Sequence, residues 1–134
     1  MLWRRLVIAV LGLPLAAFFG FVGWYKAFAP EAELLAHHAW TAHIPAWLGR
    51  PMGWTELAGA LALVAGLDPA AWRWTRIAAL WLAASQIPSS LIHWTQDEAG
   101  ELPKNLVIAA ALCLVAYVAR PALPVNNPLP EETS

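Results

Sequence analysis

The sequence predicts an all-α integral membrane protein, a bundle of four transmembrane helices with a short interfacial helix between the first and the second. Composition supports this fold class, because 60 % of the 134 residues are hydrophobic and only 13 % are charged. Such a chain has too few polar side chains to cover a soluble domain. Its charges also divide the chain into apolar blocks, and a helix needs ~20 apolar residues to cross ~30 Å of hydrocarbon. Residues 1–120 form the predicted domain.

The first apolar block covers residues 6–28, follows two arginines and is long enough to cross a bilayer. A signal peptide begins in the same way. The apolar stretch is long for a signal peptide, however, and Lys26 and Pro30 flank its small-x-small sequence, which disfavours cleavage. We therefore expect this block to persist as the first transmembrane helix.

Residues 31–48 are predicted to form a short interfacial helix. Two acidic residues follow a proline at its start, where carboxylates interact favourably with the positive end of the helix dipole. Ala36, Trp40 and His43 fall at i, i+4 and i+7, which gives a face that suits the headgroup region until Pro45 ends the helix. We expect this segment to cover the outer end of the bundle.

Three further blocks complete the predicted bundle, at residues 52–67, 76–94 and 105–119. The last block would extend only ~22 Å as a helix, so it must recruit flanking residues or thin the bilayer locally. Residues 121–134 are rich in proline and polar residues and have no apolar face to bury. They are predicted to form a disordered cytoplasmic tail.

The distribution of basic residues predicts the orientation. One set, expected on the cytoplasmic side, comprises Arg4, Arg5, Arg73, Arg76 and Arg120. Lys26, Arg50 and Lys104 flank the opposite side, and tryptophans mark both boundaries as aromatic belts. The chain is thus predicted to lie in the cytoplasmic (inner) membrane of a bacterium or archaeon, with both termini cytoplasmic.

Lys26 and Glu56 lie at matching depth near the outer ends of the first two predicted spans. An unpaired charge at such a position is costly, so the sequence predicts an ion pair. The pair has two interpretations. It fixes how the two helices meet, or it forms part of a ligand or proton site.

The third block carries four polar residues at i, i+3, i+4 and i+7, on one helical face. They are Gln86, Ser89, Ser90 and His93. Such a face is disfavoured against lipid, so with Lys26, Glu56 and Asn105 it predicts a polar ligand-binding pocket in the outer half of the bundle. Alternatively, the serines and Gln86 satisfy carbonyls freed by Pro88 and join helices by hydrogen bonds.

Several classes of function lack support in the sequence. The net charge of −1 offers no basic surface for nucleic acid, and the single cysteine excludes an intramolecular disulfide. The four histidines show no HxxxH or HExxH spacing, so no metal site is predicted. Nucleotide-binding and hydrolase motifs are absent as well.

Three stretches resemble the DoxX family. Gly23-Trp24-Tyr25-Lys26 resembles the end of that family's first helix, and Lys104-Asn105-Leu106 the start of its fourth. The second helix is similar to the family's GxxELxGxLxL stretch, from Gly53 to Leu63, and to its closing glycine at Gly66. Lys26 and Glu56 are the polar residues on matching motif positions, and no catalytic motif can be transferred.

The resemblance implies a four-helix membrane protein, and the relatives that gave the family its name are associated with quinone-linked respiratory or thiosulfate-oxidising complexes. Our first hypothesis is therefore an accessory or ligand-binding subunit rather than an enzyme by itself. Its pocket would hold a quinone or another lipophilic ligand for a membrane or periplasmic redox partner. Lys26 and His93 would form hydrogen bonds to ligand oxygens, and Glu56 would orient Lys26 or move a proton.

A second hypothesis is a non-catalytic scaffold or assembly protein whose polar residues only lock helix packing. A third, a small transporter or proton pathway, is disfavoured because the inner half of the helices has no matched acidic residue. The lipid bilayer is the one partner the sequence specifies. It leaves the ligand, the protein partner and assembly into homo-oligomers open.

Overall fold

The computed structural model of the chain describes residues 1–121, and these residues are helical with no β-strand among them. The all-α prediction is confirmed. Residues 122–134, which make up nearly all of the predicted tail, lie outside the described residues.

Four long helices and one short helix form the fold. They are α1 (Leu2–Phe28), α2 (Glu31–Ala36), α3 (Ala46–Ala65), α4 (Trp72–Thr95) and α5 (Leu102–Val118). The long helices pack in the order α1, α3, α4, α5, and α5 returns to α1 near the chain's N-terminus. A core of alanine, leucine, valine and phenylalanine side chains fills the bundle between them.

A single turn of π-helix, Ile8–Gly12, interrupts α1. It precedes Pro14, whose ring lacks an N–H and would clash with the carbonyl of Val10 in a regular α-helix, so the wider turn accommodates the proline. Ile8 at this turn is fully buried and packs with residues from the start of α4 and the end of α5. The turn therefore closes this end of the bundle, which we call the inner end.

The segment between α1 and α3, residues 31–44, is called the roof below. Its helix stops at Ala36, because His38 adopts a left-handed conformation with φ 53°. The N–H of Ala39 then turns back to the carbonyl of Leu34 at 2.9 Å, which is a Schellman-type helix end. The predicted continuous helical face through Trp40 is therefore wrong, and a 3₁₀ turn carries Trp40 instead.

Helix α3 begins at Ala46, several residues before the predicted boundary at residue 52, and passes through Pro51. Pro51 deprives the carbonyl of Trp47 of its helical hydrogen bond. Trp47 is 76 % exposed, so its carbonyl lies near the surface, where water or headgroups can replace that bond. The early start lengthens α3 to 20 residues, which corresponds to about 30 Å of helix.

Two glycines bring α1 and α3 into close contact at the other end, the outer end. A Cβ on Gly53 would lie 2.5 Å from the Ala27 nitrogen, and one on Gly23 would lie 2.8 Å from the Gly53 carbonyl oxygen. Only glycine fits this crossing. Because Lys26 and Glu56 each follow one of these glycines by three residues, the crossing places both side chains between the helices.

Two helical stretches are both long and apolar enough to cross a membrane by length and composition. They are Leu2–Phe28 and Ala99–Val118, the second of which adds a 3₁₀ turn to α5. The sequence predicted four spans. Helices α3 and α4 contribute most of the buried polar residues, which lowers their overall hydropathy.

Candidate functional site

The predicted ion pair between Lys26 and Glu56 is formed at the outer end of the bundle. Lys26 Nζ lies 2.6 Å from Glu56 Oε1, and the two residues are only 5 % and 1 % exposed. The ammonium also lies 5.2 Å from the centre of the Trp40 ring, close enough for a cation–π interaction. Glu56 Oε2 is buried and has no hydrogen-bond partner among residues 1–121. The pair thus retains one unused acceptor.

Helix α4 presents its polar face to the interior beside this pair. Gln86, Ser89 and His93 are all buried, whereas Ser90 is half-buried at the edge of that face. The Asn105 amide on α5 donates to Ser89 Oγ at 3.1 Å and to Ser90 Oγ at 3.2 Å. These bonds join α4 to α5 and position Asn105 against the same interior space.

The alternative interpretation of this polar face, satisfaction of carbonyls freed by Pro88, does not match the observed hydrogen bonds. Pro88 frees the carbonyl of Ala84, because its ring nitrogen carries no hydrogen. The Gln86 amide instead donates to the Leu82 carbonyl at 3.2 Å. Since the serines on this face accept from Asn105, the part of the alternative that survives is the joining of helices.

A carboxylate that the sequence analysis missed, Glu98, holds two histidines. His93 Nδ1 donates to Glu98 Oε2 at 2.6 Å, and His38 Nδ1 in the roof donates to Glu98 Oε1 at 2.7 Å. Hydrogen bonds from His38 and His93 hold the pKa of Glu98 below its usual value. The hydrogen bond to Glu98 raises the pKa of His38 in turn. Glu98 therefore fastens the roof to the end of α4.

The position of Glu98 depends on a turn that helical periodicity does not reveal. Asp97 adopts a left-handed conformation with φ 58°, and the Glu98 N–H returns to the His93 carbonyl at 2.9 Å. Aspartate tolerates this conformation better than most residues. The signal in the sequence was therefore an Asp followed by an acid just after a helix end, which is weak by itself.

These side chains surround one cavity of about 130 Å³. Six of the predicted site residues line it: Lys26, Glu56, Gln86, Ser89, His93 and Asn105. Ser90, the seventh, does not line this cavity; together with Gln86 and Asn105 it lines a second groove between α4 and α5. Further lining residues come from α1, from the roof and from the start of α5. They are Phe18, Phe19, Phe21, Val22, Tyr25, His37, His38, Ala39, Trp40, Glu101 and Lys104.

The cavity has one polar side and one apolar side. Its volume of about 130 Å³ is close to the ~150 Å³ of an engineered cavity that admits a benzene ring. A carboxylate only accepts hydrogen bonds, so Glu98 places the hydrogen of His93 on Nδ1 and leaves Nε2 as an acceptor in the neutral ring. The site can therefore offer a donor at Lys26 and acceptors at His93 and Glu56.

Within residues 1–121, no group of three or more His, Cys, Asp or Glu residues is arranged to hold a metal ion. The three titratable residues Glu98, His38 and His93 form a hydrogen-bonded bridge. Each histidine donates to the Glu98 carboxylate through Nδ1, so these hydrogen bonds explain the arrangement of the three residues without a metal ion.

Comparison with known proteins gives one match. A model of the DoxX-like family matches residues 10–117, which include all of α2, α3 and α4 and most of α1 and α5. No curated protein and no solved structure matches the chain.

Proposed function

The chain belongs to the DoxX-like family, and on that premise we propose that it is an accessory, ligand-binding subunit of a quinone-linked redox system. A lipophilic molecule with an oxygen-bearing ring, of the quinone class, would bind in the outer cavity. As a member of this family the chain is a membrane protein, and the bilayer is its first partner. A membrane or periplasmic protein would exchange electrons with the bound ligand.

The proposal includes four transmembrane helices. Helices α3 and α4 have 20 and 24 residues, which correspond to about 30 and 36 Å. Their buried residues include Glu56, Gln86 and His93, whereas the large apolar side chains exposed on their outer faces are tryptophan, leucine, isoleucine and valine. The exposed arginines of α4, Arg73 and Arg76, lie in its first two turns at the inner end. This inside-out pattern suits a lipid environment, where polar groups face the bundle interior. The pattern supports α3 and α4 as transmembrane helices, although their overall hydropathy alone does not identify them.

An inner-membrane location with both termini cytoplasmic is also part of the proposal. Arg4 donates hydrogen bonds to the carbonyls of Val118 and Arg120, so the start of α1 and the end of α5 meet at one side of the bundle. Lys26, Lys104 and Arg50 lie toward the other side. The larger number of basic residues at the end where α1 starts and α5 ends supports a cytoplasmic location for that end.

One observation carries the ligand-binding proposal. The cavity that is large enough for one ring has a buried ion pair in its wall, and that pair leaves Glu56 Oε2 without a partner among the described residues. A buried acceptor without a partner costs about 1 to 3 kcal/mol. A ligand hydroxyl beside Glu56 would remove that cost by donating to Oε2.

The residues present fit a quinone or quinol, which carries electrons and protons between membrane partners. Lys26 would donate to a ring oxygen, and His93 would accept a hydrogen at Nε2. Glu56 would keep Lys26 oriented or hold a proton. Phe18 and Phe19 supply an apolar wall for the ring.

The test is mass spectrometry of lipophilic molecules that copurify with the full-length protein in mild detergent. Glu56→Gln and His93→Ala change the cavity wall, whereas Thr75→Val removes an equally buried hydroxyl that bonds the Ala62 carbonyl at the inner end. We expect wild type and Thr75→Val to retain one quinone, and the two cavity variants to lose it while staying folded. The same unselective lipids in all four proteins would contradict the proposal.

The rival function is a scaffold or assembly protein, and the bonds from Asn105 to Ser89 and Ser90 favour it because they join two helices directly. Under that function Glu56→Gln would lower the melting temperature and leave the affinity for every ligand unchanged. Loss of ligand at an unchanged melting temperature would exclude it.

A further inference from the structure

We propose that the cavity opens sideways into the outer leaflet between α1 and α5, and that its ligand has a single apolar tail that leaves through this opening. This inference rests on the proposed function, because it describes how a ligand of that class enters and which part of the ligand stays outside. The opening is called the lateral mouth below. Phe21 and Val22 on α1 and Lys104 on α5 border it.

The packing of the helices explains why an opening lies at this place. At the inner end α1 and α5 are tied together, since Arg4 Nε donates to the Val118 carbonyl at 2.8 Å and Ile8 packs against Val118. Toward the outer end, the close contacts of α1 are with α3, at Gly23 and Gly53. Helix α5 packs chiefly against α4 rather than against α1. The seam between α1 and α5 is therefore closed at the inner end and widens toward the cavity.

The exposure of one lining residue on α1, Phe21, supports an opening at the lateral surface. Phe21 is 68 % exposed on the outside of the bundle and also lines the cavity. Its ring stacks on that of Tyr25, with 5.7 Å between centroids, so two aromatic rings form one edge of the mouth. Lys104 forms the opposite edge, where it pairs with Glu101. A side chain that faces both lipid and cavity marks a passage between them.

The size and chemistry of the cavity require such a passage. A volume of about 130 Å³ accommodates one ring and leaves no room for a long chain. Lys26 and Glu56, the groups that would bond the ring oxygens, lie in the cavity wall where α1 crosses α3. The ring would therefore enter first, and the tail would trail toward Phe21. Toward the water the roof is fastened by the bond between His38 and Glu98. The tail of a lipophilic ligand would then remain in hydrocarbon, where its transfer costs nothing.

The experiment compares two probes in full-length protein reconstituted in nanodiscs. They are 1,4-benzoquinol with a decyl tail and benzoquinol without the tail, both kept in the reduced form whose hydroxyls can donate to Glu56 and His93, with both affinities corrected for partition into lipid. For wild type we expect the tailed probe to bind at least about tenfold more tightly. Val22→Trp narrows the mouth and should reduce this ratio of the two affinities to about twofold, whatever its effect on the ring that both probes share.

Val10→Trp is the matched control, because Val10 is 60 % exposed on the same helix and lies away from the cavity. It should keep the full advantage of the tail. Phe21→Ala acts in the opposite direction and stays informative if Val22→Trp does not fold. Removing the ring should speed association of both probes several-fold, because the ring of either probe enters through the mouth, whereas Val10→Trp should leave both association rates unchanged.

The outcomes separate the two proposals. If the tailless ring binds wild type as tightly as the tailed probe, or if Val22→Trp and Val10→Trp behave alike, the lateral mouth is wrong and the ligand site stands. If neither probe binds wild type, the proposed function fails, and this inference with it. Selective loss of the tail's advantage in Val22→Trp supports both.

Discussion

The two ends of the bundle handle their buried polar groups differently. At the inner end polar side chains donate hydrogen bonds to backbone carbonyls. Arg4 donates to the Val118 carbonyl, Trp72 Nε1 donates to the Gly66 carbonyl at 3.0 Å, and the Thr75 hydroxyl donates to the Ala62 carbonyl at 2.9 Å. At the outer end most of them form hydrogen bonds with other side chains, as in the pairs of Lys26 with Glu56 and of His93 with Glu98. The Gln86 amide, which donates to the Leu82 carbonyl, is an exception.

This difference indicates which end of the bundle stabilises the fold and which end can bind a ligand. A bond to a backbone carbonyl of a packed helix has one geometry, since the carbonyl cannot move without the helix. A bond between two side chains can rearrange by rotamer changes. The hydrogen bonds of the inner end therefore hold the helices in one arrangement. The outer end has partners that can be exchanged for ligand atoms, and it contains the cavity.

The largest effect should come from breaking the buried ion pair on one side only. Glu56→Ala leaves the Lys26 ammonium buried without its partner, and we expect the free energy of unfolding to fall by about 3 to 5 kcal/mol. The inner-end counterpart, Arg4→Met, removes a charge at a half-exposed position and should cost much less. Reversible unfolding in mixed micelles measures both.

The double variant Lys26→Met with Glu56→Leu checks the cause of that loss. It removes both charges, so most of the lost stability should return. Equal costs for Glu56→Ala and Arg4→Met would erase the energetic contrast between the two ends.

The crossing of α1 and α3 should give the next largest effect. Gly53→Ala forces a Cβ to within 2.5 Å of the Ala27 nitrogen, and we expect a loss of about 1 to 3 kcal/mol from overpacking. Gly20→Ala is the control, because its nearest neighbour would be the Ala60 Cβ at 4.0 Å. That variant should be neutral or slightly stabilising, since alanine favours a helix interior. Thermal unfolding of both variants distinguishes close packing from helix propensity.

Buried hydrogen bonds should show a smaller and more even effect. Thr75→Val at the inner end and Asn105→Leu at the outer end should each cost about 1 kcal/mol. Ligand retention distinguishes the two, since only Asn105 lines the cavity. If Thr75→Val also released the ligand, the outer end would not be the binding end.

The smallest effect concerns pH and the roof. The pKa of His38 is raised above the usual 6.5 by Glu98, and that of Glu98 is lowered below the usual 4.5 by its two histidines. The stabilisation from His38 is complete below pH 6.5 and is lost as the pH rises through its raised pKa. The part from Glu98 is complete above pH 4.5 and is lost as the pH falls through its lowered pKa. The roof should be held best between these limits.

Hydrogen exchange of the roof, corrected for the intrinsic pH dependence of exchange, tests this expectation. Protection of α2 should fall from pH 6 to pH 9 in wild type and stay flat in His38→Gln. The charges of Glu101 and Lys104 also act on His38, but the pH dependence is assigned to His38 itself, so an unchanged slope in His38→Gln would contradict it. The inner end should show no change over the same range.

Local patterns in the sequence determined the all-α class, the polar face of α4 and the pairing of Lys26 with Glu56. Each depends on helical periodicity or on charges at matching depth, which the chain expresses over a few turns. Helix boundaries were less accurate. The sequence predicts that the interfacial helix ends at Pro45 and that the second span begins at residue 52, yet α3 starts at Ala46. A proline near a helix start, here Pro51, is tolerated because lipid headgroups or water can satisfy the freed carbonyl.

Only the tertiary structure decided how the site is completed. His38 and Glu98 are 60 residues apart in sequence, and they meet because two helices end in left-handed turns at His38 and Asp97. No periodic pattern encodes such a contact, since it depends on where two chain reversals point after the helices pack. The seam between α1 and α5 has the same origin. The sequence therefore determined which polar residues must avoid lipid, and the packing of the helices determined what those residues surround and from which side it can be reached.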